Sequence, residues 1–234
     1  MARRGSLRCG AVAIVLGVLA ACGDDGGSAS PPTSSTSTSE ATTTTSAPAF
    51  RSSVVSLTAA DLPSSWRPGC PLAVEDLRAI DATHWGFDGR VHDGRIVVAA
   101  DAAEDVEGVL RDLFDAHYPI EKMEPIDVYG GSDEASIDAD NTSAFNCRKA
   151  TGGSSWSEHA YGRAVDLNPL VNPYVKGDTV LPPQSARYLD RTLEDQGVIH
   201  DGDPAVVAFE SRGWVWGGTW TTLKDYQHFS RSGR

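Results

Sequence analysis

The chain has 234 residues, with 32 acidic side chains against 20 lysines and arginines, giving a formal charge of −12. Nucleic acids and other polyanions require clustered cations, so this balance argues against them as partners. The acidity is read as ordinary surface solubility.

Residues 1–21 read as a lipoprotein signal peptide. Arg3, Arg4 and Arg8 form a basic start, and Ala11 to Ala21 is an apolar run too short to remain as a membrane span. It ends in Leu19-Ala20-Ala21-Cys22, which resembles the lipobox of bacterial lipoproteins. That resemblance implies cleavage before Cys22 and lipidation of its thiol. The alternative is an ordinary signal peptide cut near Ala21. Either way the mature chain is expected to be exported, and the lipobox implies an extracytoplasmic domain anchored to a bacterial cell membrane.

Residues 22–49 carry that Cys and then mostly Ser, Thr, Gly and Pro. Such a stretch cannot bury enough apolar surface to offset its ordering entropy, so a flexible tether is predicted, with a reach of roughly 25–30 Å. The remaining segment, 50–234, is about the size of one domain with a full core, expected to be monomeric. With Cys9 removed and Cys22 lipidated, only Cys70 and Cys147 are left, and an oxidising compartment favours a bridge between them. Two buried free thiols are the alternative. A bridge would brace the residue next to Arg148.

Along the domain, Val91 to Val98 reads as a β-hairpin turning at Asp93-Gly94. Asp101 is a candidate helix N-cap with Glu104 completing a capping box, and Val106, Val109, Leu110, Leu113 and Phe114 recur at helical spacing before Pro119. Ile126 to Tyr129 reads as a short strand ended by Gly130-Gly131, and Ser143 to Arg148 and Ala164 to Leu167 as further strands. A helix is predicted from Pro183 to Gln196, with Leu189 and Leu193 inward and Gly197 as its stop. Asp203-Pro204 starts another, which ends at Gly213. Strands and helices mixed without βαβ alternation predict an α+β fold.

The chemistry-bearing residues form two clusters, His159 to Asp166 in mid-chain and Asp225 to His228 near the last residues. On one continuous strand His159 and Asp166 would face opposite ways, so the segment must turn, with Gly162 as the hinge. Each residue alone is as readily a loop histidine or a turn carboxylate. As a set they offer three metal ligands and one general base, and three protein ligands leave a catalytic zinc an open position. His84, His92, His117 and His200 have no partner at ligand spacing and read as structural or surface groups. Trp214, Trp216 and Trp220 could wall a cleft or fill the core.

The run Ser157-Glu158-His159-Ala160-Tyr161-Gly162-Arg163-Ala164-Val165-Asp166 resembles the S-x-H-x-x-G-x-A-x-D signature of the D-alanyl-D-alanine carboxypeptidase family of zinc peptidases, which includes VanY-like carboxypeptidases and phage L-alanyl-D-glutamate endopeptidases. The likeness continues through Asn168-Pro169, Asn172-Pro173-Tyr174, Gly213 to Gly218 and Asp225 to Phe229, with Asn141 to Arg148 similar to the family's upstream arginine segment. It implies a Hedgehog/DD-peptidase-like fold, a small antiparallel sheet with flanking helices. It further implies His159, Asp166 and His228 as zinc ligands, Asp225 as general base, and Arg148 as a group that binds substrate or the developing oxyanion. For Arg148 a structural salt bridge is the alternative. The substrates implied are peptidoglycan stem peptides.

Many carboxypeptidase members carry Glu where this chain has Asp225, and the Asp form resembles the endopeptidase-like branch. The scissile bond therefore stays open between D-Ala-D-Ala and an L-Ala-D-Glu type. Serine chemistry lacks its Ser-x-x-Lys, and no His is followed by Glu as the helical zincins require. A non-haem iron site of two His and one carboxylate is a weaker reading. The main rival is a non-catalytic, Hedgehog-like lipoprotein that binds wall peptides or a partner, for which a retained Asp225 has no use.

Overall fold

A computed structural model describes residues 47–234; the expected signal peptide, Cys22 and most of the tether lie outside the described residues. The architecture is α+β. β1 (Ser52–Ser56), β2 (Leu77–Trp85) and β3 (Val91–Ala99) form an antiparallel sheet in that order. Period-two alternation sends β2 and β3 side chains to two cores. Ile80, Ala82, Ile96 and Val98 face the larger core with the helix α1 (Ala103–Asp115), whereas Leu77, Ala79 and Val97 face a smaller cluster with Leu62, Phe145 and Cys147.

α1 buries Val106, Val109, Leu110, Leu113 and Phe114, the face that the spacing predicts. Each such side chain contributes roughly 1.5–3 kcal/mol of burial. β4 (Lys122–Met123) and β5 (Asn141–Thr142) pair in parallel around the short helix α2 (Asp133–Asp138). β6 (Ala164–Asp166), β11 (His228–Ser230) and β9 (Val215–Trp216) make a second antiparallel sheet with β11 central. β7 (Tyr174–Lys176), β8 (Thr179–Leu181) and β10 (Lys224–Asp225) make a third. The helix α3 (Pro204–Glu210) starts at its proline as predicted and sets Phe209 against Trp214 and Phe229. Among the described residues no helix is long and apolar enough to cross a membrane.

Several predicted elements are corrected. Asp93-Gly94 is not a turn: β3 runs through it, with Asp93 opposite Thr83 and Gly94 opposite Ala82, and the hairpin turns at residues 86–90. Gly94 is instead a point of close approach, since a Cβ there would lie 2.9 Å from Met123. Asp101 does not cap α1, whose N-cap is Ala102; its carboxylate binds the Arg163 guanidinium at 2.7 and 3.2 Å. Ile126–Tyr129 is a 3-10 turn, with Gly130 in the left-handed region after it. Segment 143–148 is a strap with one isolated bridge, Ser143 to Asp166, rather than a strand. The predicted helix from Pro183 shortens to a 3-10 stretch ending at Leu189, and Leu189 is exposed.

Cys70 and Cys147 are bonded, as cysteine use predicts. The bond holds the strap in the smaller core. Main-chain bonds hold it as well: Phe145 N–H donates to the Val97 carbonyl (2.8 Å), Asn146 N–H to that of His159 (3.2 Å) and Cys147 N–H to that of Ser65 (3.0 Å).

Candidate active site

Three elements converge on one cleft of about 510 Å³. The first is the 3-10 turn Glu158–Tyr161, started by Ser157, whose hydroxyl accepts the His159 N–H at 3.4 Å. The turn stops at Gly162, which takes φ +63° and lies so close to β3 that a Cβ would sit 2.5 Å from Ala99 N. Glycine is needed there on both counts. Gly162 accepts the Ala99 N–H at 2.9 Å, which ties the His159 turn to the main sheet. The chain then enters β6, where Asp166 pairs in register with His228 of β11.

His159, Asp166 and His228 are all buried and thus meet across two neighbouring strands and one turn. His159 Nε2 lies 3.2 Å from Asp166 Oδ2, and His228 Nδ1 lies 3.0 Å from Asp166 Oδ1. One potential ligand atom from each falls within 4.8 Å of the others, the only such group of three or more among the described residues. Donors on a tetrahedral zinc at its usual bond lengths are roughly 3.3 Å apart, so two imidazoles and a carboxylate at these separations fit that ion. The rings are also held from behind, as ligating histidines usually are. His159 Nδ1 lies 2.7 Å from the Ala144 carbonyl oxygen, so its proton sits there and Nε2 is left as the ligand atom.

Without a metal the electrostatics are those of a buried ion pair. Burial alone would raise the Asp166 carboxyl, but His159 and His228 outweigh it and hold the group well below the usual carboxylate range. Burial likewise opposes a charged His228, yet the hydrogen bond and charge of Asp166 raise it to about 9. The pocket is built to carry positive charge between carboxylates, and protons and a metal ion compete for it.

Asp225 comes from β10, where it pairs with Tyr174 of β7. Its main chain packs on Gly217, where a Cβ would sit 2.5 Å from the Asp225 carbonyl oxygen. Burial pushes its carboxyl upward, the Asp166 charge adds to that, and His228 opposes it. The residue keeps partial solvent exposure, so the rise is smaller than for an enclosed group. Gln227 Nε2 donates to Asp225 Oδ1 at 3.3 Å.

Arg148 lines the same cleft, and its Nε is 3.0 Å from Asp133 Oδ1, an ion pair whose angle falls short of a hydrogen bond. Its Nη1 donates to the Lys149 carbonyl at 3.3 Å. Both readings of Arg148 are therefore compatible with its position: it is paired, and it faces the site. Tyr174, Leu181, Trp220 and Leu223 supply apolar and aromatic surface, with Trp156 and Tyr161 also on the wall. Of the three tryptophans considered, Trp214 and Trp216 are core and only Trp220 reaches the cleft, its ring 5.4 Å from His228.

Nothing in the residue pattern points to Asp133 or to the Ala144 carbonyl, because one belongs to a distant helix and the other is main chain. The other histidines stay apart from the site. His84 stacks on His92, His117 stacks on Trp85, and His200 pairs with Asp203. A shallower groove of about 540 Å³, lined by Arg51, Asp81, Asp93, Arg95 and Met123, contains no comparable group of ligands.

In comparison with known families, residues 151–231 fit the family described as D-alanyl-D-alanine carboxypeptidase. Curated proteins and solved structures yield no significant match. The matched segment runs from the end of the strap to β11 and so contains His159, Asp166, Asp225 and His228, while Arg148 lies just before it. Segment 151–231, which carries the His159, Asp166, Asp225 and His228 cluster, is thus similar to the D-alanyl-D-alanine carboxypeptidase family of peptidases.

Proposed function

We propose that this protein is a zinc peptidase that hydrolyses a peptide bond in peptidoglycan stem peptides. The observation that carries the reading is the buried triangle of His159, Asp166 and His228 sharing one cleft with Asp225. Zinc bound by those three would polarise the scissile carbonyl and bring the pKa of a water toward neutrality. Asp225, kept basic enough to hold a proton by burial and by Asp166, takes one from the attacking water and returns it to the departing amine nitrogen. Arg148, steadied by Asp133 and the Lys149 carbonyl, offers its guanidinium to the negative charge that develops on the carbonyl oxygen. The aromatic wall around Tyr174 and Trp220 excludes water from one side of the bond.

The chain is further proposed to act outside the cytoplasm, tethered through a lipidated Cys22, and to work on its substrate as a monomer. The lipobox-like run and the Cys70–Cys147 bond, which suits an oxidising compartment, support this. Cys22→Ser should release the protein from membranes.

Mass spectrometry of muropeptides after incubation tests the activity. Loss of one terminal D-Ala identifies a carboxypeptidase, and release of whole stem peptides or a cut after L-Ala identifies an endopeptidase. If no muropeptide changes while zinc is bound, the non-catalytic binding reading replaces this one.

A further inference from the structure

We infer that Gln227 serves the reaction with both ends of its carboxamide: Nε2 fixes Asp225, and Oε1 accepts the N–H of the amide bond that is cut. The inference rests on the peptidase reading above and adds a substrate requirement to it, a secondary amide at the cleavage point. Gln227 lines the cleft yet is only 4% exposed. Its Oε1 is buried without a hydrogen-bond partner, the only side-chain oxygen so placed among the described residues. An unmet buried acceptor is costly, and packing alone would be served by an apolar side chain of the same length. Hydrogen bonds to the local backbone fix the position. Tyr226 N–H donates to the Pro173 carbonyl at 3.2 Å, Trp216 Nε1 to the Tyr226 carbonyl at 2.8 Å, and Leu167 N–H to the Gln227 carbonyl at 2.9 Å.

The orientation of the amide follows from charge. Turned the other way, Oε1 would meet the Asp225 carboxylate oxygen against oxygen; as placed, Nε2 donates to Asp225 Oδ1 at 3.3 Å. The oxygen and nitrogen of one carboxamide are about 2.3 Å apart, so Oε1 stands within roughly 5.6 Å of the Asp225 carboxylate. Two hydrogen bonds of about 2.9 Å meeting at one atom span that distance. The nitrogen to which Asp225 returns the proton can therefore touch both residues, its lone pair toward Asp225 and its N–H toward Oε1. Held so, the nitrogen faces the proton it must receive as the C–N bond breaks. A bond without that hydrogen, such as an ester or a prolyl amide, leaves Oε1 unmet. Sites that keep a buried polar group for one substrate hydrogen disfavour analogues that lack it.

Two probes test this on the full chain: the muropeptide that the wild type cuts, and its counterpart with an ester oxygen in place of that bond's N–H. By calorimetry on metal-free protein, the wild type should bind the amide about tenfold more tightly than the ester. Gln227→Met keeps the volume and removes both polar atoms, so it should bind the two within about twofold of each other. With zinc, Gln227→Met should lower kcat/KM about tenfold on the ester, the share of the Asp225 contact, and about a further tenfold on the amide. Gln227→Glu keeps an acceptor and loses the donor, so both substrates should fall together and the amide preference should stay. Metal content and melting curves identify a variant that fails to fold, in which case the other variant decides. An amide preference that survives Gln227→Met, or ester hydrolysis unchanged by it, overturns the inference, as does a Gln227→Glu chain without the preference. A wild type that cuts no muropeptide would instead overturn the peptidase reading, and this inference with it.

Discussion

Breaking the Cys70–Cys147 bond separates what the strap 143–148 owes to covalent closure from what it owes to hydrogen bonding. The bond joins residues 77 apart. Restricting an unfolded loop of that length corresponds to about 4.5 kcal/mol in the chain-entropy account of disulfides. Cys147 is buried in an apolar cluster with Leu62, Leu77 and Phe145, so alanine is the suitable replacement there, and the more open Cys70 can become serine. The double variant Cys70→Ser/Cys147→Ala should therefore lose about 3–5 kcal/mol in urea unfolding at fixed zinc concentration, which for a domain of this size lowers Tm by roughly 8–16 °C. Its site should survive, because the Val97, His159 and Ser65 carbonyls still hold the strap and Ser157 N–H still donates to the Arg148 carbonyl at 3.1 Å. Zinc affinity is expected within threefold of wild type well below the new Tm. A stability loss under 1 kcal/mol would refute the loop-closure reasoning. A tenfold fall in zinc affinity of the folded variant would show that the bond, not the hydrogen bonds, sets the geometry behind His159.

Four other substitutions give distinct outcomes. Asp225→Asn should keep the zinc and lower kcat on muropeptides by about 10²–10⁴, whereas His159→Ala should lose the zinc as well, measured by metal content; an active Asp225→Asn removes the general base from the mechanism. Gly162→Ala adds a Cβ 2.5 Å from Ala99 N at φ +63° and should cost about 2–4 kcal/mol by denaturant titration, with weakened zinc binding through the displaced His159 turn; a neutral effect would contradict the contact. Asp140 is buried, and burial raises its carboxyl from 3.8 to about 6, while the Leu170 N–H donates to its Oδ1 at 2.8 Å. Between those values the folded state holds more protons than the unfolded one, so stability falls as pH rises through the window and the penalty is complete above about 6. Asp140→Asn keeps the acceptor and tolerates φ +54°, so it should stabilise by about 2–3 kcal/mol at pH 7.5 and by almost nothing at pH 4 in paired urea titrations. A gain independent of pH would show that the carboxylate is not the cause.

The reach of sequence reasoning follows the range of each interaction. The apolar face of α1 was readable because helical periodicity is local, and the proline start of α3 because its cause is its own ring. The expected export and lipidation leave Cys70 and Cys147 as candidates for a bridge, and those two are bonded. The turn at Gly162 followed from the geometry that a shared site for His159 and Asp166 demands, and the φ of +63° agrees. Local cues misled where a distant neighbour decided the outcome. Asp93-Gly94 has the composition of a hairpin turn, but a whole strand, β2, pairs across it and Met123 packs on the glycine. Asp101 has a capping residue's chemistry, yet a guanidinium 62 positions away binds it more strongly than an N-terminal amide would.

At the site, residue types and spacing nominated His159, Asp166, His228 and Asp225, because imidazole and carboxylate are the groups metal chemistry needs. The fold decided which atoms of them face one another. Register between β6 and β11 sets Asp166 against His228, and a packed strap puts the Ala144 carbonyl behind His159. Main-chain carbonyls such as that of Ala144 belong to every residue alike, so their roles leave no trace in composition or motif. Only the tertiary structure, by bringing distant backbone within 3 Å or so of a ring nitrogen, assigns them.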